Sequence, residues 1–377
     1  MNDIYKKSRI AYLDNLKVLL TALVIIDHAA ITYGPVGFWY FRQQTATSYP
    51  LAFIISLLQT FMIGLFFLIA AYFIIPSYNR KTPVDYFYSR LKKLGIPVIL
   101  YMILISPLLA YISQIREGQK NFLTFYVRTV IHKQYITPGP LWFLQALLVF
   151  TITYLVIKAV GDRYLSSRYQ TGRLNFPSNL NILLFILGLA ALSFLTRIWF
   201  PIGTATGNLQ LSFVFIYLAL FVLGIISYRN HWLKNLNRRQ ALLWLILAAV
   251  FIPLWPVIMA GANAFSGNAA LIYGGFNWQS AAYSLWESVV GMGLTMGLLY
   301  LFREKINLKT KFTSALSASA YAAIIVHPVI VVLLSFSLID VNLGPILKFL
   351  LVSAAAVPLC FTAGFLLKKI PAVKHIL

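Results

Sequence analysis

The stretch Tyr12–Gly34 reads YLDNLKVLLTALVIIDHAAITYG, and it is contradictory for a simple membrane anchor. Its apolar run reaches the length of about 20 residues that a helix needs to cross a hydrocarbon core. Yet it carries Asp14, Lys17, Asp27 and His28. A charged or titratable group near the bilayer centre costs about 2.5–3.5 kcal/mol on insertion scales, and such groups mark pathways or reactions by default. A pure anchor has no reason to accept that cost.

Helical geometry orders these residues. Lys17 and His28 are eleven positions apart, which on a helix is three turns plus about 20°. They share a face with Thr21 and stand about 16 Å apart along the axis, half the hydrocarbon thickness. Asp27 is turned about 100° from His28, so it cannot orient that imidazole from within one helix. An orienting carboxylate has to come from elsewhere, or Asp27 serves a neighbouring span. Asp14, at the start of the run, is a candidate N-cap.

The rest of the chain matches this reading. Of its 377 residues, 60% are hydrophobic and 11% charged, with a mean hydropathy of +0.79. Ordinary soluble domains are about 45–50% apolar and about 25% charged. The fold expected is therefore an all-α integral membrane bundle of about ten transmembrane helices. The spans fall at 14–33, 50–75, 95–113, 141–160, 180–199, 209–228, 240–260, 279–301, 312–335 and 345–367. No gap is long enough for a soluble domain, so residues 1–377 are expected to form a single integral-membrane domain with none appended. The longest gap, about 114–140, has room for a short interfacial helix with Arg128, His132 and Lys133.

Charge sets the expected orientation. The net charge is +22, and 24 of the 31 Lys and Arg residues fall on the side of the N-terminus when ten spans alternate. Seven remain on the other side. That bias predicts both termini in the cytoplasm. Basic residues that punctuate the gaps between spans suit topology and anionic contacts, not nucleic acid. The single cysteine, Cys360, lies in an apolar run and supports neither a disulfide nor a thiolate metal site. Lys6, Lys7 and Arg9 flank the first run, which has no cleavage signature and reads as a retained span.

Other spans carry polar residues at a comparable depth. His327, in SASAYAAIIVHPVIVV, falls in the outer half of span nine and precedes Pro328. Glu287, in SLWESVVGMG, lies in the outer half of span eight, and Arg197 ends span five on the same side. Plainer readings exist for each. Either histidine can be hydrogen-bonded inside the bundle, and Glu287 can pair with Arg197. Arg90, Lys92 and Lys93 can be retention charges.

Five stretches together resemble the membrane acyltransferase family 3. They are YLDNLKVLLTALVIIDHAAITYG, YSRLKKLGIP, GPLWFLQALLVF, YSLWESVVGMGLTMGLLYLFRE and SASAYAAIIVHPVIVV. Lys17 and His28 match the family's spacing of a basic residue, ten others and a histidine. Lys17 stands where Arg is common and offers a point charge in place of a fork. Arg90 and Lys93 match a two-basic pattern in the loop after span two.

The resemblance implies a multi-pass O-acyltransferase of the bacterial cytoplasmic membrane. It implies transfer of an acyl group, most commonly acetyl, from acyl-CoA to a hydroxyl of a glycan, glycolipid or other cell-envelope acceptor. In that reading Lys17, Arg90, Lys92 and Lys93 hold the CoA phosphates and His28 is the general base. His327 or Glu287 positions the acceptor or the histidine, and Asp27 completes the catalytic set. Acyl-CoA is a donor substrate, so no permanently bound cofactor and no metal are expected. The residues alone also allow a glycolipid transporter or flippase, or a non-catalytic membrane sensor.

Overall fold

A computed structural model describes residues 10–43, 48–118, 121–132, 136–164, 173–204, 209–267 and 269–371. Lys6, Lys7, Arg9 and Lys133, named above, lie outside the described residues. Among the described residues, ten helices are long and apolar enough to cross a membrane. The first five are α1 (Ala11–Tyr33), α2 (Tyr49–Tyr78), α3 (Pro83–Gln114), α4 (Gly139–Gly161) and α5 (Asn179–Trp199). The rest are α6 (Leu211–Arg229), α7 (Arg238–Gly261), α8 (Trp278–Lys305), α9 (Lys311–Ser337) and α10 (Pro345–Leu367). No β-strand occurs among the described residues. The ten-helix expectation holds.

Polarity accounts for the burial of α1 and α8, while α2 is as deeply buried although it is among the most apolar spans. The spans α1 and α8 are the least apolar of the ten, and 61% and 72% of them is buried, with α2 at 67%. The most apolar span, α7, is only 22% buried. Lipid tolerates Leu, Ile and Val on all sides, whereas titratable side chains need protein around them. Small residues let the inner helices close up. A Cβ on Gly291 of α8 would come within 2.3 Å of the Thr60 carbonyl oxygen on α2, so only glycine permits that contact.

Helix α3 begins earlier than expected. Thr82 caps its N-terminus, its side chain accepting from the Asp85 N–H, and Pro83 occupies the first turn. Arg90, Lys92 and Lys93 therefore sit on a helix and not in a loop, which corrects the reading above. The early turns are polar, so hydropathy alone missed them. Two π-helical turns, Leu91–Gly95 and Tyr101–Ile105, interrupt α3. Pro97 and Pro107 follow them and donate no N–H to Lys93 and Ile103. The Tyr321 hydroxyl of α9 donates to the Lys93 carbonyl.

Asp14 is not the N-cap of α1. The helix starts at Ala11 behind Ile10, and Asp14 lies in its first turn, paired with Lys17 at 2.7 Å. A carboxylate there complements the positive end of the helix dipole. In the gap after α3, a short helix forms at Phe122–Ile131 with Arg128 on it, and His132 follows it.

Candidate active site

Helices α1 and α9 run in the same direction and pack against each other. His28 is 17 residues into α1 and His327 is 16 residues into α9, so both stand about 25 Å from the N-terminal ends of their helices. Their rings meet, with centroids 4.9 Å apart and planes at 47°. His327 is 1% exposed, while His28 is half-buried.

Each imidazole is oriented by its own backbone. His28 Nδ1 lies 2.8 Å from the Val24 carbonyl oxygen, and His327 Nδ1 lies 2.6 Å from that of Ile324. A carbonyl only accepts, so each Nδ1 carries the hydrogen and each neutral ring keeps its lone pair on Nε2. Pro328 explains the second bond. Lacking an N–H, it leaves the Ile324 carbonyl, four residues back, without its helical donor. The His327 ring fills that vacancy, and its Nε2 has no hydrogen-bond partner. The expected orienting carboxylate is thus replaced by carbonyl groups.

The third ring of the cluster comes from the loop after α1. Trp39 packs on His28 with centroids 4.2 Å apart and lies nearly parallel to His327 at 6.1 Å and 18°. Residues 34–43 fold back over the helix ends to place it there. Gly37 has φ 98°, and a Cβ on it would come within 2.9 Å of Ile31. The Gln43 N–H donates to the Thr32 carbonyl at 2.8 Å, and Arg42 donates to the Gly34 carbonyl at 2.9 Å. Tyr40 donates to Ser106 of α3 at 2.9 Å.

Lys348 of α10 locks the end of this loop. It is 3% exposed, and its Nζ donates to Gln43 Oε1 at 2.9 Å and to the Leu338 carbonyl at 2.7 Å. Trp39, Gln43 and Lys348 escaped sequence reasoning. The run GPVGFWYF (34–41), where two glycines bracket a proline ahead of four aromatic residues, signals a turn around Trp39 but says nothing of Gln43 or Lys348.

Glu287 belongs to a separate cluster. Its Oε2 accepts from Arg197 at 2.7 Å and from Ser193 at 3.2 Å, with Arg197 wholly buried. Arg197 also donates to Ser284 and lies over the Phe213 and Tyr283 rings. A cavity of about 20 Å³ adjoins Glu287, Gln59, Tyr217 and Ser288, enough for one water molecule. No hydrogen bond or ion pair joins Glu287 to either histidine among the described residues. Asp27 is buried at 6% exposure with Oδ1 unpartnered, and among the described residues no cation pairs with it.

The basic residues gather at the other end of α1. Lys17 lies over the Phe73 ring at 5.2 Å, in addition to its bond with Asp14. Arg90 donates to Ser77 at 3.1 Å and covers Tyr86 at 4.9 Å. Lys158 of α4 lies over Tyr78 at 5.6 Å. Three cations from three helices thus converge on residues 73–78, at the end of α2. Lys92 and Lys93 follow Arg90 on the exposed π-helical turn. Lys158 was not among the expected site residues.

The family model of the acyltransferase domain Acyl_transf_3 matches residues 10–365. The chain belongs to acyltransferase family 3. Neither a curated protein nor a solved structure matches it. An acyltransferase with ten membrane-length helices is a multi-pass membrane protein, and two of its polar centres lie at opposite ends of α1. One is a cation cluster, the other a pair of imidazoles with free Nε2 atoms.

Proposed function

We propose that this acyltransferase carries an acyl group, in the simplest case acetyl, from cytoplasmic acyl-CoA to a hydroxyl of a saccharide or other cell-envelope acceptor. The observation that carries the reading is the His28–His327 pair, with both Nδ1 atoms committed to carbonyls and both lone pairs left on Nε2. Residues 1–377 act as one integral-membrane catalytic domain in the bacterial cytoplasmic membrane, with both termini in the cytoplasm. The charge bias of the gaps supports that orientation.

The CoA phosphates bind Lys17, Arg90, Lys92 and Lys93, with Lys158 beside them, through charge-assisted hydrogen bonds. The acyl end reaches His28, about 16 Å along α1. His28 Nε2 takes the proton of the acceptor hydroxyl as that oxygen forms a bond to the thioester carbonyl carbon. The carbonyl π pair moves to its oxygen and then re-forms the double bond, breaking the carbon–sulfur bond. The departing thiolate takes the proton from His28 and leaves as the free thiol. His327 Nε2 accepts from a neighbouring hydroxyl of the acceptor and orients it. Glu287 neutralises Arg197 and holds α5 to α8, and Asp27 faces the bundle beside the base.

Membranes containing the chain, supplied with labelled acyl-CoA and an envelope fraction, test this reading. His28→Ala should lower label transfer by about 10²–10⁴-fold at unchanged abundance. Full activity in His28→Ala membranes refutes it.

A further inference from the structure

We propose that the indole N–H of Trp39 is the donor that stabilises the oxyanion formed on the acyl carbonyl; the proposal rests on the histidine reading above. Trp39 Nε1 is buried and has no hydrogen-bond partner, and the same is true of His327 Nε2. One is a donor only, and the other, with its hydrogen on Nδ1, is an acceptor. Two such atoms in one cluster would ordinarily bond to each other. Here they are kept apart by geometry.

An indole N–H and an imidazole lone pair both lie in the planes of their rings. Trp39 and His327 are nearly parallel, at 18° with centroids 6.1 Å apart, and neither polar atom bonds to the other. Native proteins leave few buried polar atoms unpaired, and a catalytic role is one explanation for an exception. The pair therefore calls for a bound species with both an acceptor atom and a donor atom. An acceptor hydroxyl satisfies His327 Nε2. That hydroxyl is the neighbouring one, and the reacting hydroxyl at His28 commits its lone pair to the acyl carbon, whereas the acyl carbonyl oxygen is an acceptor throughout and gains charge as the bond forms.

The charge movement favours the same assignment. As the hydroxyl oxygen bonds to the carbonyl carbon and its proton passes to His28, the π pair settles on the carbonyl oxygen. A fixed donor aimed at that oxygen binds the intermediate more tightly than the ground state. Trp39 is suited to be fixed. Its ring rests on His28 at 4.2 Å, and its loop is tied to α1, α3 and α10 through Gln43, Tyr40 and Lys348. Collapse of the intermediate returns the pair to the carbonyl and releases the thiolate, so the indole is unchanged at the end.

Trp39→Phe keeps an aromatic ring and removes the N–H. It should lower kcat by about 10²-fold, the range for loss of one oxyanion donor, with the donor KM within about twofold. Should Trp39→Phe insert poorly, benzothienylalanine at position 39 keeps the bicyclic shape with sulfur in place of N–H and should show the same loss. The direct readout is infrared. A ¹³C-carbonyl ketone analogue of acyl-CoA, with methylene replacing sulfur, should absorb at lower frequency on the wild-type protein than on either variant. Wild-type kcat in both variants while His28→Ala is inactive overturns the proposal and leaves the histidine reading standing. An identical carbonyl band in all three proteins overturns it as well. Full activity of His28→Ala refutes the histidine reading instead, and the infrared comparison still decides for Trp39.

Discussion

Pro328→Ala should make the protein more stable and less active. Proline inside a helix costs about 3 kcal/mol relative to alanine. Part of that cost is the lost bond to the carbonyl four residues back, and here the His327 imidazole replaces it at 2.6 Å. A hydrogen bond of this kind contributes about 0.5–1.5 kcal/mol net. The alanine variant should therefore gain about 1.5–2.5 kcal/mol.

The same substitution removes what orients His327. The new N–H at position 328 points to the Ile324 carbonyl and competes with His327 Nδ1. Losing about 0.5–1.5 kcal/mol of preference for one tautomer and one ring pose should lower kcat by about 2- to 10-fold. The donor KM should hold, because the cation cluster lies at the far end of α1. Thermal unfolding of the detergent-solubilised protein and steady-state acyl transfer on the same preparation measure both effects. His327→Asn is the companion variant. It retains a donor near the Nδ1 position and has no Nε2, so it should fold normally and lose more activity than Pro328→Ala. An unchanged kcat in a stabilised Pro328→Ala protein refutes the reasoning.

Glu287→Gln should lower abundance, because removing one partner of a buried ion pair costs about 3–5 kcal/mol. A paired Arg197→Met, Glu287→Met protein should recover it, and normal abundance with lost activity in Glu287→Gln would return Glu287 to the chemistry. Lys17→Ala should raise the donor KM by about tenfold or more, as expected for a charge-assisted contact of about 1.5–3 kcal/mol, with kcat preserved. Asp14→Asn should lower that KM by less than about fivefold, since a partly exposed ion pair contributes about 0–1 kcal/mol. Cysteine labelling on a background without Cys360 should reach position 238 only from the cytoplasm and position 266 only from outside.

Span number was legible because lipid imposes a single requirement, about 20 apolar residues per crossing, and each crossing in this chain satisfies it. The start of α3 was not legible, because its first turns are held by the Thr82 cap and Pro83 and carry charges at the membrane edge. Hydropathy measures only the buried middle of a helix. The two histidines were readable one at a time, since equal depth follows from counting residues along parallel spans. Their meeting was not, because it depends on α1 packing against α9, which no local pattern encodes. Glu287 lay at a depth shared with two kinds of partner, and the structure gives it to Arg197.

Trp39 marks the boundary of sequence reasoning most clearly. A tryptophan outside a span is ordinarily an interfacial anchor, and nothing at residues 34–43 distinguishes it from one until the loop is folded. Its position results from interactions far away in sequence, including the Lys348 bond to Gln43 and the Tyr40 bond to Ser106. Lys348 shows the same effect from the other direction. By sequence it is one of seven basic residues on the outer side, and in the folded chain it is buried against a glutamine side chain and a carbonyl oxygen, not a carboxylate. A buried ammonium is costly unless its hydrogens are bonded, and here the Gln43 and Leu338 oxygens supply those bonds. What it orders is the loop that lays an indole across two imidazoles. Lys17 and His28 were visible as polar residues on one helix; the ring that lies against the two histidines became visible only through the contacts that hold it down.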